Sequence, residues 1–396
     1  MKDLPWRRVF FLFPFFDITL NMTTKEKVLK ILAEAKGQAV SGETVAAECG
    51  VSRAAVWKAV KTLRENGSSI EGTTNGGYVL ADDDVFSPEI FSEVFSLRWP
   101  ELSDCHIECF KEIDSTNTYA KRLLAECGNL RGADGELTEA GQKYHRAIFV
   151  AESQTAGRGR LGRSFLSPEK TGIYISVIYA PKGGITNPAR LTACAAVAIC
   201  RAIKKIFNDN SITNLHPQIK WINDIFAGGK KVCGILAEGV ANFESGLIES
   251  AVVGMGINVK KNKAAFNGEL ADIAGTLEEA VEALNSSDSS GSPAPAAGRK
   301  LSRTQIAVEI AGQVLKIFEE DSSSQAAHAA IIKEYKEASF LLGRELTVYP
   351  LIGDEKSSYK ATACDIDDNA GLIVKLKDGS MKTLSSGEVT LKSTNF

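Results

Sequence analysis

Apolar residues along this 396-residue chain change their repeat twice, and that change limits the fold more than any other feature. From Thr24 the repeat is helical: Val28, Ile31, Leu32 and Ala35 fall at i, i+3, i+4 and i+7 and form one stripe. Gly37 is placed to end that helix, and Ser41 to cap a second one running through Cys49. Gly50-Val51-Ser52 reads as a tight turn into a third helix, from about Arg53 to Glu65, that buries Val56, Val60 and Leu63. A strand near Ile70, a turn at Asn75-Gly76-Gly77 and a strand at Tyr78-Val79-Leu80 follow. This order predicts a winged helix-turn-helix over residues 22–80, with a linker at 81–88 that opens on Ala81-Asp82-Asp83-Asp84.

The repeat then becomes mixed. Runs rich in Val and Ile at Ala147–Ser153, Gly172–Ala180, Gln218–Ile222, Val232–Glu238 and Ser250–Val259 predict strands. Pro188–Phe207 predicts a buried helix with Leu191, Ala195, Ala198, Ala202 and Ile203 inward, so residues 89–339 form a mixed α/β domain. Arg131–His145 and the Ser, Pro, Ala and Gly-rich Asn285–Arg299 read as loop insertions. Residues 341–396 carry short strands at Glu345–Tyr349, Lys360–Ile366, Leu372–Leu376, Met381–Leu384 and Glu388–Leu391, a small all-β barrel. The fold class expected is α+β.

Composition narrows the function. With 44% hydrophobic and 24% charged residues the chain is an ordinary soluble one, and a net charge of −3 rules out a generally basic surface. Nucleic-acid contact must therefore be local. The third helix supplies the place: Arg53, Lys58, Lys61 and Arg64 with no acid between Ser52 and Arg64, and Ser52 and Trp57 beside them. Such a helix can enter a major groove, although a solvated basic face on a three-helix bundle has the same pattern. The eight cysteines have no paired spacing, and Cys105-His106-Ile107-Glu108-Cys109 lacks the two-plus-two ligands of a zinc site. No metal is expected there, and the thiols read as reduced, in a cytoplasmic protein. At the start, the apolar run Val9–Phe16 is broken by Pro14 and is far shorter than the roughly 20 residues of a membrane span. No small-residue cleavage site precedes Lys25-Glu26-Lys27, so residues 1–21 read as an extension upstream of a natural start at Met22.

Five short motifs carry the chemistry. Gln154-Thr155-Ala156-Gly157-Arg158-Gly159-Arg160-Leu161-Gly162-Arg163 contains a G-x-G-x-x-G, but Ser164–Pro168 does not continue as a helix and no acid follows in Gly172–Pro181. A dinucleotide fingerprint needs both. Arginines interleaved with glycines fit instead a loop that closes on an anion. Asp114-Ser115-Thr116-Asn117 is a helix cap compatible with ligand binding. Lys220-Trp221-Ile222-Asn223-Asp224 closes a strand on a polar pair. Lys231-Val232-Cys233-Gly234-Ile235-Leu236-Ala237-Glu238 and Gly254-Met255-Gly256-Ile257-Asn258-Val259 are strands interrupted by glycine, where another backbone or a ligand approaches. Four scattered histidines and no paired nucleophile argue against a triad.

In this order the set S-T-N, G-R-G-R-x-G-R, K-W-x-N-D, K-x-x-G-I-L-x-E and G-x-G-I-N resembles the biotin–protein ligases, and the preceding winged helix resembles their bifunctional type that also represses biotin genes. The resemblance runs from Met22 to the Ser386-Gly387-Glu388-Val389 ending. It departs at Ile222, where the family usually has proline, and at Cys233, where it often has a smaller residue. The resemblance implies a class II synthetase-like ligase core, a C-terminal SH3-like barrel, biotin and ATP with Mg²⁺ as substrates, and a biotin carboxyl carrier protein as acceptor. It also implies operator DNA as a partner and a ligand-bound homodimer, with no membrane. It assigns cationic roles to Arg158, Arg160 and Lys231, with Gly157, Gly159 and Gly234 lining the ligand. Ser115, Thr116, Asn117 and Gln154 would contact biotin, Asn223 and Asp224 the acyl-phosphate end or the incoming amine, and Asn258 the adenine or ribose. A lipoate-type ligase shares this chemistry but usually lacks a winged helix and differs in the arginine-glycine motif. A silent ligand-sensing regulator is the other alternative, opposed by the intact Arg158, Arg160, Lys231 and Asp224.

Overall fold

The computed structural model describes residues 23–35, 38–65, 70–73, 76–80, 86–212, 214–241, 246, 248–261, 272–287, 301–350 and 357–391. Chain contacts divide it into two units, Met1–Ala81 and Asp82–Phe396.

The first unit has helices α1 (Thr24–Glu34), α2 (Gly42–Cys49) and α3 (Arg53–Glu65), then a hairpin of β1 (Ile70–Thr73) and β2 (Gly77–Leu80). Each helix start is capped by a hydroxyl: Thr23 and Glu26 cap each other reciprocally, Ser41 accepts from the Thr44 N–H, and Ser52 accepts from the Ala55 N–H. Gly50 ends α2 with φ 67°, the left-handed conformation glycine adopts without penalty, and so makes the turn between α2 and α3. Val56, Val60 and Leu63 of α3 are buried as expected, and Val45, Ala46 and Cys49 of α2 are buried with them. The α1 stripe is rotated from the expected one: Val28, Leu29 and Leu32 are buried, whereas Ile31 and Ala35 are half-buried. Gly37 and Asn75 lie outside the described residues.

The second unit is built on a seven-stranded sheet in the order β3-β4-β5-β9-β8-β7-β6. Its strands are β3 (Ile107–Phe110), β4 (Ile148–Ala151), β5 (Gly172–Tyr179), β6 (Gln218–Lys220), β7 (Asp224–Ala227), β8 (Lys230–Ala241) and β9 (Ile248–Asn258). Only the β3–β4 pair is parallel. Its helices are α4 (Pro88–Arg98), α5 (Thr116–Cys127), α6 (Glu139–Tyr144), α7 (Pro188–Asp209), α8 (Leu277–Ser287), α9 (Arg303–Ser323) and α10 (Gln325–Ala338).

Alternation along the strands decides what each face does. In β5 the odd residues Ile173, Ile175 and Val177 join the large core with Met255 and Ile257 of β9 and with the helices α7 and α9. Even residues face the other way, where α5 packs with Ala120 and Leu124 over Phe149, Ile178 and Val252. The functional residues lie on this second face.

Two expectations change here. Arg131–His145 is not a bare insertion: Arg131 bridges to Leu137, its guanidinium binds the carbonyls of Ala180 and Gly135, and Glu139–Tyr144 is helical. The strand read over Gln218–Ile222 is shorter: β6 stops at Lys220, and Trp221–Asn223 form the turn into β7, whose first residue Asp224 pairs with Lys220. Of Asn285–Arg299, the first three residues close α8 and the remainder lies outside the described residues.

The C-terminal strands β10 (Glu345–Tyr349), β11 (Tyr359–Ile366), β12 (Leu372–Lys375), β13 (Met381–Leu384) and β14 (Glu388–Leu391) form one antiparallel sheet in the order β13-β12-β11-β10-β14. Leu346, Val348, Ala363, Leu372, Val374 and Val389 belong to the same buried cluster as Ile219, Trp221 and Ile225 of the seven-stranded sheet. The indole N–H of Trp221 donates to the Ala370 carbonyl at 2.8 Å, and the Trp221–Ile222 peptide is cis.

Candidate active site

A pocket opens on the even face of the seven-stranded sheet. Cross-strand register lines up Tyr174, Gly256, Gly234 and Asp224 in one row, and Ser176, Gly254 and Leu236 in the next. Three of these positions are glycine because something else fills the space. A Cβ on Gly254 would stand 2.1 Å from the Asn117 carboxamide oxygen, and one on Gly256 2.4 Å from the Phe165 ring. One on Gly234 would meet the same ring at 3.2 Å. The glycine-interrupted strands thus make room for a side chain from α5 and for a ring from the arginine loop.

Polar groups at the start of α5 are cross-braced. Ser115 caps the helix by accepting the Thr118 N–H. Thr116 donates its backbone N–H and hydroxyl to the Gln154 carbonyl oxygen at 2.9 and 3.2 Å, and the Gln154 amide donates to Ser167 at 2.9 Å. Ser176, fully buried, lies 2.6 Å from both Thr116 Oγ1 and Asn117 Oδ1, while the Asn117 amide donates to Glu238 at 3.0 Å. Buried amide and hydroxyl groups locked in this way offer fixed donors and acceptors to a neutral polar ligand.

Cations stand beside them. The arginine loop is a narrow hairpin: Gln154 bridges to Ser167 and Arg158 to Ser164, and the Phe165 N–H donates to the Gly157 carbonyl at 2.8 Å. Gly157 is buried, with Phe165 O only 2.3 Å from where a Cβ would sit, so it holds the neck of the hairpin. Arg158 lies 3.5 Å from Glu238, Arg160 donates to the Asn223 carboxamide oxygen at 3.0 Å, and Lys231 lies 2.7 Å from Asp224. Burial raises the Glu238 pKa, but hydrogen bonds from Lys121 and Asn117 and the charges of Lys121 and Arg158 outweigh it and hold the carboxyl below its ordinary value. Asn223 is itself tied down, its amide donating to the Ile235 carbonyl at 3.2 Å.

The pocket wall includes Ser115, Thr116, Asn117, Gln154, Arg158, Gly159, Arg160, Asn223, Asp224, Lys231 and Gly234. Gly157 and Asn258 are not part of it; Asn258 is buried at the end of β9, donating to the Gly275 carbonyl at 3.2 Å. Sequence reasoning missed Phe165, Gly387 and Val389, which also line the wall. Phe165 stands two residues beyond the arginine motif, and its aromatic character was the one local signal. Among the described residues no group of three or more His, Cys, Asp or Glu is placed to hold a metal.

In the first unit Arg53, Trp57, Lys58 and Lys61 of α3 and the capping Ser52 just before it are all exposed, Trp57 at 59%. The Lys61 ammonium lies 5.8 Å from the Trp57 ring centroid. Arg64 plays a structural part instead, since its guanidinium donates to the Ile70 carbonyl at 2.6 Å and ties α3 to the hairpin.

Comparison with known proteins finds a match in each unit. Residues 111–258 match the biotin/lipoate A/B protein ligase family, and residues 24–79 match a helix-turn-helix domain. The chain is 29% identical over 372 residues to the bifunctional ligase/repressor BirA of Bacillus subtilis, covering 93% of this chain and 98% of that protein. To BirA of Escherichia coli it is 25% identical over 375 residues, covering 94% and 98%. A biotin protein ligase from Aquifex aeolicus in complex with biotin and ATP shares the fold, with a TM-score of 0.51 at 23% identity, covering 72% of this chain and 97% of that one. The chain is thus similar along nearly its whole length to bifunctional ligase/repressors, with a biotin/lipoate protein ligase match in its second unit and a helix-turn-helix match in its first.

Proposed function

We propose that the chain activates biotin as biotinyl-5'-AMP, consuming ATP, and transfers it to one lysine of a biotin carboxyl carrier protein. The observation that carries this reading is a pocket lined both by Arg158, Arg160 and Lys231 and by the neutral set Ser115, Thr116, Asn117 and Gln154. A carboxylate is a poor acylating agent, so joining it to an amine needs a better leaving group. Attack of the biotin carboxylate on the α-phosphate makes the mixed anhydride and releases pyrophosphate. At ~4 Å and an effective dielectric of ~20, two like charges repel by about 4 kcal/mol, roughly three decades in rate. Cations aimed at the point of attack offset that repulsion. Arg158 and Arg160 are suited to the phosphate and Lys231 to the developing charge, each held beforehand by Glu238, Asn223 or Asp224. The neutral set suits the ureido ring of biotin, whose N–H and C=O groups need partners and no charge. Asn223 and Asp224 orient the acyl-phosphate or the incoming lysine, Asn258 serves the nucleotide from the end of β9, and magnesium enters as part of the ATP substrate. Incubation with a biotin carboxyl carrier protein, biotin and MgATP should add one biotin to the carrier; an unmodified carrier overturns the reading.

The exposed basic face of α3 supports repression as the second activity. Ser52, Arg53, Trp57, Lys58 and Lys61 are the DNA-facing residues in this reading, with a biotin-gene operator as partner. A two-fold operator rewards a dimer, so ligand-promoted dimers bind it more tightly. The C-terminal sheet fits an SH3-like barrel, the seven-stranded sheet a class II synthetase-like core, and the protein a cytoplasmic place beside its carrier. No helix among the described residues is long and apolar enough to cross a membrane. In this reading 22–80 is the DNA-binding domain, 89–339 the catalytic domain and 341–396 the C-terminal domain. A gel-shift titration with the upstream region of biotin synthesis genes, with and without biotin and ATP, tests repression; no specific shift in either state leaves a plain ligase.

A further inference from the structure

Glu152 and Arg303 form an ion pair inside the second unit, 3% and 0% exposed. Both guanidinium contacts to the carboxylate come from one nitrogen, at 2.8 and 3.1 Å, and the other terminal nitrogen donates to the Gly172 carbonyl at 2.8 Å. Two buried charges are costly to keep unless they hold something in place. What they hold is specific. Glu152 stands two residues before Gln154, at the entry to the arginine loop, and its carboxylate also accepts the Lys170 N–H at 2.6 Å, at the exit. One side chain thus spans the base of the loop, just outside the Gln154–Ser167 bridge. The second carboxylate oxygen faces the Phe86 N–H at 3.4 Å, and the Arg303 guanidinium lies 4.9 Å from the Phe86 ring, which is 5% exposed. Phe86 is the first described residue after 81–85, in the segment that comes from the helix-turn-helix unit, and Ser87 next to it caps α4.

We infer that Glu152, held by Arg303, is a positioning residue that sets the span of the arginine loop and passes the loop's closure on its substrates to the chain at Phe86. The inference rests on the adenylation reading of the pocket. Glu152 does not line the pocket; it acts through the loop ends. Gln154 and Ser167 are already hydrogen bonded, so a loop closing on its substrates pivots on this base, and the carboxylate that bridges Glu152 to Lys170 just outside it has Phe86 as its remaining partner. The long Phe86 contact is the bond with room to tighten, and the ring against Arg303 is what holds the Phe86 N–H over the carboxylate, so removing the ring uncouples the two.

Hydrogen exchange on the full-length protein, without ligand and with biotin plus MgATP, reads both ends at once. In the native protein the peptide over Gly157–Arg163 and the peptide containing Phe86 should both slow, by about fivefold or more, the lower end of ordinary coupling between sites. Phe86→Leu keeps apolar volume but removes the ring under Arg303. In that variant the loop peptide should still slow and pyrophosphate exchange should stay within about twofold of native, while protection at residue 86 no longer responds to ligand. Loop protection without any change at Phe86 in the native protein overturns the inference and leaves the ligase reading standing. So does a Phe86→Leu protein that transmits fully. A loop peptide blind to both substrates removes the adenylation reading, and the inference falls with it.

Discussion

On α3, Arg53, Lys58 and Lys61 are exposed within nine residues of sequence, while Val56 and Val60 between them are buried. In the pocket, Arg158, Arg160 and Lys231 come from two distant segments, and each rests against a partner of the chain itself: Glu238, Asn223 and Asp224. The first arrangement suits a polyanion met from outside, where gain comes from counterion release and the side chains keep their reach. The second suits a reaction, where cations must already be aimed when charge develops, because reorganising them then costs rate. One unit therefore works by local sequence and surface, the other by assembly of remote residues.

That contrast can be broken most decisively by separating the units. Removing residues 1–80 should abolish operator binding and leave biotin-dependent pyrophosphate exchange within about twofold, since the second unit has its own core. Exchange that disappears along with DNA binding would show that the pocket needs the first unit. Next in size, Lys231→Ala should lower pyrophosphate exchange by about two to three decades, the order expected when one cation at the point of attack is lost. Stopped transfer with normal exchange would move Lys231 to the second step. A smaller effect separates the two kinds of cation by salt. Lys58→Ala should weaken binding to all DNA sequences alike and reduce the slope of log affinity against log salt by about 1, whereas pyrophosphate exchange should respond little to the same titration. Equal salt dependence in both assays contradicts the contrast.

The smallest effect concerns acid. The folded-state pKa of Glu238 is depressed, so the stability it contributes is present above the ordinary glutamate value of about 4.3 and is lost as pH falls through the folded value. Thermal melts should show a Glu238→Gln protein with a shallower loss of stability in that window; parallel acid limbs would mean the Lys121, Asn117 and Arg158 contacts add nothing net.

The same contrast explains what the sequence made legible. The cap at Ser41, the turn at Gly50 and the apolar stripe of α3 depend on neighbours a few residues away, and they appear as read. The five C-terminal strands lie within a residue or so of their expected places because turns separate them and alternation marks them. Elements that depend on distant partners were hidden. Strand β3 was hidden because it carries Glu108 and Cys109 where an apolar run would be expected, and β7 because only Trp221–Asn223 part it from β6. The α1 stripe is turned toward Leu29 by packing against α3. Phe165 is placed by the space above Gly234 and Gly256, and Val389 reaches the pocket because the C-terminal sheet shares a core with the seven-stranded one. The motif glycines were readable as close approaches, but what approaches them was not.

If the pocket is built as described, it activates biotin before any acceptor protein arrives. Exchange of labelled pyrophosphate into ATP, measured with full-length protein and no carrier, isolates that step. Exchange should require biotin and be absent with lipoate; exchange with lipoate alone, or with neither acid, would contradict activation of biotin at this site.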